Sequence, residues 1–183
     1  MTAPEYIQLK AFARQDGALL ALLWMATFLL YIIGVQNQML GLAAVLLMVY
    51  TPIFVGERLG KFRDYGREGI ISFRRAYAYT VFVFFYGGVL FAIAQYLYFA
   101  FMDNGYLLSQ FSKMVTSEET QKMLQQYGMI EMMNESLKEM ASIRPIDYAL
   151  NMLTVNISVG FILGVPISLI MQRNSVKGEK INK

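Results

Sequence analysis

The sequence predicts an all-α integral membrane four-helix bundle, N-in and C-in, with a short amphipathic helical subdomain between its third and fourth spans. Three observations predict it. Apolar runs near residues 17–35, 38–56, 76–102 and 148–171 are almost empty of ionisable side chains, Lys and Arg fall mostly on one side of them, and the longest connection shows helical periodicity. A hydrocarbon core of about 30 Å takes roughly 20 mostly apolar residues as a helix. Helices are required because a lone strand leaves its backbone unpaired in lipid, and these runs lack the alternation of a barrel wall.

The first run follows Lys10 and Arg14, as a signal peptide would, but it is longer than the usual apolar region of about 7–15 residues. No small-residue cleavage site closes it, and Gln36-Asn37-Gln38 leads directly into the second run. The two are expected to form a tight hairpin that stays in the mature protein. The basic loop 57–75 then carries Arg58, Lys61, Arg63, Arg67, Arg74 and Arg75. The third run is long, aromatic and interrupted by Gly87-Gly88, so tilt or protrusion is expected, with tyrosines at its ends in interfacial belts.

The segment 103–147 opens on the turn-like Asp103-Asn104-Gly105. Thr116-Ser117-Glu118-Glu119 reads as a capping box of the T-x-x-E kind. Met123, Leu124, Tyr127 and Ile130 follow at helical spacing, Gly128 interrupts, and Met132, Met133, Leu137 and Met140 continue up to Arg144-Pro145. Two short amphipathic helices are expected, with Met-rich apolar faces suited to adaptable contacts. They would lie on the membrane, cap the bundle or dock on a partner; their net acidity speaks against the first.

Orientation follows from the cations, because cytoplasmic segments accumulate Lys and Arg. Twelve fall in the N-terminal arm, the loop 57–75 and the tail 172–183, which includes Arg173, Lys177, Lys180 and Lys183. Only Lys113, Lys122, Lys138 and Arg144 fall in 103–147, against seven carboxylates. Both termini are therefore expected in the cytoplasm of a multi-pass protein. The net charge of +3 is read as topology and contact with membrane lipids, not as affinity for nucleic acid.

Cysteine and histidine are absent, which removes thiol nucleophiles, Cys/His metal sites and the commonest general base. No metal and no cofactor is expected, and the chain is read as not an enzyme. Asp147 with Asn151, one turn apart, is the sole arrangement offered for catalysis. No ionisable residue lies at mid-depth in a predicted span, which argues against a proton-coupled pump. Tyr86, Gln95, Asn151 and Asn156 are the candidate polar seam. Gly160, Gly164 and Ser168 recur every four residues on one face of the fourth run, a pattern for close helix packing or a homo-oligomer interface; Pro166 is expected to kink that helix. The six loop cations are candidate phosphate or headgroup contacts, since Arg grips phosphate bidentately, although no nucleotide P-loop spacing is present.

Gly69-Ile70-Ile71-Ser72-Phe73-Arg74-Arg75-Ala76-Tyr77, Asp103-Asn104-Gly105 and Arg144-Pro145-Ile146-Asp147 together resemble the bacterial membrane family called domain of unknown function 4199. The resemblance covers nearly the whole chain and implies a four-span inner-membrane protein of Gram-negative bacteria. It brings no catalytic residues. Genes of the family lie near a polyprenyl-phosphate sugar synthase, which implies a cytoplasmic-face glycosyltransferase or other envelope enzyme as partner. Two functions are expected on this basis: a non-enzymatic accessory or scaffold subunit for such an enzyme, or a small oligomeric lipid or solute transporter.

Overall fold

A computed structural model describes residues 2–173. Its described residues form seven helices: α1 (Ala3–Gly34), α2 (Gln38–Gly66), α3 (Phe73–Phe101), α4 (Tyr106–Val115), α5 (Glu118–Gln126), α6 (Ile130–Ser142) and α7 (Pro145–Met171). The chain is all-α, and α1, α2, α3 and α7 are long and apolar enough to cross a membrane. At 1.5 Å per residue they are roughly 40–48 Å long, more than the apolar core requires. Their polar ends therefore extend beyond the apolar runs. Lys177, Lys180 and Lys183 lie outside the described residues.

This length corrects the reading of residues 57–75 as a loop. The helix of span two continues through Glu57, Arg58, Lys61, Arg63 and Asp64 to Gly66, and α3 begins at Phe73. Loss of hydropathy does not end a helix, because Glu, Arg and Lys are good helix formers. The connection that remains closes α2 with hydrogen bonds from the Arg67 and Gly69 amides to the Arg63 carbonyl.

One compact unit comprises the described residues of Met1–Ala92 and Met152–Lys183; a second is Ile93–Asn151. In the first, helices approach through glycine. A Cβ placed on Gly34 of α1 would lie 2.4 Å from the Gly41 amide of α2, and one on Gly17 would lie 2.7 Å from Tyr86 Cβ of α3. Asn37 caps α2 by accepting the Met39 amide, which fixes the hairpin turn. Trp24 of α1 packs against Phe84 and Phe91 of α3 and donates its indole N–H to Thr51 Oγ1 of α2 at 3.1 Å. Leu42, Val45, Leu46, Met48, Val49 and Ile53 of α2 face outward, as lipid-facing side chains would.

The second unit holds three short helices where two were expected. α4 was hidden because its run from Tyr106 to Val115 is short and carries little charge. The α5 cap is Ser117, which accepts the Thr120 amide, and not Thr116, whose hydroxyl donates back to the Ser112 carbonyl of α4. Gly128, at φ +65, does interrupt the run between α5 and α6. Gln121 donates to the Val115 carbonyl, and Tyr148 donates to the Met140 carbonyl while stacking on Phe99 at 4.6 Å. Met114, Met123, Tyr127 and Met132 are exposed.

Candidate functional site

The charged end of the first unit is built by four segments meeting near the α2–α3 connection. Glu5, in the first turn of α1, accepts Arg67 at 3.0 Å and Arg75 at 2.5 Å, joining the N-terminal helix to the connection and to α3. The Thr2 amide and these two cations hold its carboxyl well below the usual range, at about 2. Gln8 donates to the Gly66 carbonyl. Arg63 holds Asp64 and reaches the Met171 carbonyl at 3.1 Å, so the end of α2 grips the end of α7. Ile71 and Arg173 exchange two backbone hydrogen bonds of 3.0 Å, the pairing of an isolated antiparallel bridge.

Deeper along α1 stands Asp16, 3% exposed. One of its oxygens accepts Arg58 of α2 at 2.5 Å and the other accepts the hydroxyl of Tyr79 of α3. Tyr79 is itself stacked on Phe62 of α2, with ring centroids 4.7 Å apart and planes within 4°. This group was missed in sequence. Asp16 sits one residue before the apolar run and reads as an interfacial charge, whereas the helix carries it into the packed interior. Tyr79 likewise is fully buried rather than placed in an interfacial belt.

The six candidate phosphate contacts thus divide. Arg58, Arg63, Arg67 and Arg75 are engaged by carboxylates of the chain itself, while Lys61 and Arg74 are exposed and, among the described residues, form no ion pair. Its ion pair with the buried Asp16 leaves little of Arg58 for an external phosphate.

The small-residue stripe of α7 is taken up by α3. A Cβ on Gly160 would meet Phe84 Cβ at 2.5 Å, and one on Gly164 would lie 3.1 Å from the Tyr77 ring. Asn156 continues the same face one turn earlier, 3.4 Å from a Cβ on Gly88. Ser168, at the other end of the stripe, is fully buried.

The four candidate seam residues fall in different settings. Tyr86 packs its ring against Phe82 and Phe85. Gln95 is buried and Asn151 exposed. Among the described residues, the buried Asn156 side-chain nitrogen, Gln95 side-chain oxygen and Ser168 hydroxyl find no hydrogen-bond partner. Asp147 is engaged by Arg144 at 2.8 Å, which lowers its carboxyl below the ordinary range. Among the described residues no group of His, Cys, Asp and Glu could hold a metal ion.

The family described as "Protein of unknown function (DUF4199)" matches residues 15–173. The match begins one residue before Asp16 and takes in all of α2 to α7. No curated protein and no solved structure matches the chain.

Proposed function

We propose, for a chain that belongs to the DUF4199 family of proteins of unknown function, that it is a non-enzymatic accessory or scaffold subunit of an envelope-assembly enzyme at the bacterial inner membrane. In this reading both termini are cytoplasmic and the basic end faces the partner, a glycosyltransferase such as one acting on polyprenyl phosphate. The observation that carries it is the division of the loop cations. Four are used to brace α1, α2, α3 and α7 against one another, while Lys61 and Arg74 stay on the surface. A braced end with exposed cations suits a fixed docking platform.

The test is a tagged pull-down from native membranes in mild detergent, with mass spectrometry of proteins and lipids. A stoichiometric envelope enzyme, lost on Lys61→Gln/Arg74→Gln, supports the reading. A preparation without any protein partner overturns it.

A transporter is the second reading, favoured by the buried nitrogen of Asn156 on the α3-facing side of α7, which has no hydrogen-bond partner among the described residues. Flux of a lipid or solute in vesicles, abolished by Asn156→Leu, would support it.

A further inference from the structure

We propose that Asp16, Arg58 and Tyr79 form a latch that sets where the charged end of α1 sits against α2 and α3, and that breaking it releases this end of α1 alone. The physical basis is the character of the contacts around Asp16, because the Glu5 ion pairs and the Gln8 hydrogen bond hold α1 about two to three turns nearer its start. Lipid tails are as apolar as the side chains they contact, so membrane helices associate through close packing and polar bonds rather than through hydrophobic burial. Around Asp16, α1 offers Ala13, Gly17 and Leu20, all buried and apolar. Close packing at Gly17 sets how near α1 comes to α3; a carboxylate held by two donors on two other helices also fixes where along them α1 sits.

The arrangement is also selective about its partners. Asp16 receives one donor from α2 and one from α3, and the ring supplying the second is fixed by its stack on Phe62. Loss of Arg58 leaves Asp16 buried and uncompensated, and loss of Asp16 leaves the half-buried Arg58 without its counter-charge, states that are relieved when the helix end moves out toward water. Arg58 is already 21% exposed in its side chain, so the route outward is short. The α3–α7 contact, made through Gly160 and Gly164, shares none of these groups.

The chain has no cysteine, so single thiols report on it cleanly. Ala13, one turn before Asp16, is 0% exposed. An Ala13→Cys protein in membrane vesicles is expected to resist a maleimide, and Asp16→Asn or Arg58→Gln in that background to raise its labelling by at least about tenfold. The exchange Asp16→Arg/Arg58→Asp should restore protection. A parallel pair, Gly88→Cys/Asn156→Cys, checks the α3–α7 contact, since a Cβ on Gly88 lies 3.4 Å from Asn156 Cβ; its cross-link is expected to survive the single changes.

Unaltered protection of Ala13→Cys in both single variants overturns the latch. So does an exchange that labels as fast as they do. Should a single variant also lose the α3–α7 cross-link, the exchange decides alone: protection upholds the latch and labelling overturns it.

Discussion

Glu5 shows how one residue ties a helix end to its surroundings and how that tie depends on pH. Its carboxyl is held at about 2 against an ordinary 4.5 by the Thr2 amide, with Arg67 and Arg75 adding to the effect. A folded-state value below the unfolded one means the stabilisation is complete above about 4.5 and drains away as pH falls toward 2. The difference in detergent melting temperature between the native chain and Glu5→Gln should therefore be full at pH 7 and close as pH falls through that window. A gap that is constant with pH would contradict it. Thr51 gives a second residue-scale outcome. Thr51→Val leaves the buried Trp24 indole N–H without its acceptor, at a cost of about 0.6–2 kcal/mol, measurable by denaturation in detergent. Neither contact was legible in the sequence, because hydropathy weighs each side chain alone. Glu5 and Asp16 count as charges outside a span and Thr51 as a weakly polar residue inside one; their partners lie tens of positions away in sequence.

The elements themselves were far more legible. Apolar runs long enough to span a bilayer located all four long helices, and Gln36-Asn37-Gln38 located the hairpin turn. Helix ends were misjudged where charge replaced apolarity, as from Glu57 to Gly66, since the backbone stays helical after the membrane has ended. The small-residue stripe of α7 was visible as a packing face, but only the folded chain shows that α3 fills it. Gly160→Val would bring its branch into Phe84, whose Cβ stands 2.5 Å from the point a Cβ on Gly160 would occupy. Overpacking of this kind costs about 1–3 kcal/mol and should lower thermal stability in detergent. Gly56 is the contrasting case, with nothing within 4 Å of its added Cβ. Gly56→Ala should raise stability by about 0.5–1 kcal/mol, the usual gain for replacing a mid-helix glycine. If both changes acted alike, the close α3–α7 approach would not be what distinguishes them.

For the molecule as a whole, the basic balance that sequence assigns to one side resolves into two populations with different work. Arg67 and Arg75 serve the fold, because they are the two cations that hold Glu5 and through it the start of α1. Lys61 and Arg74 serve the surface, because they are exposed and form no ion pair among the described residues. Composition cannot separate them: all four are cations within a short stretch, and only the position of Glu5 decides which are used. Two double variants remove equal charge and should give opposite results. Arg67→Gln/Arg75→Gln should lower the melting temperature, since among the described residues Glu5 then keeps the Thr2 amide alone, while leaving the exposed cations in place for an anionic partner or headgroup. Lys61→Gln/Arg74→Gln should melt like the native chain yet retain less anionic phospholipid, measured as lipid bound per protein after purification at low salt, where exposed charges act most strongly. Equal loss of lipid in both variants would mean that net charge alone governs the surface, and the division of cations between fold and partner would fall with it.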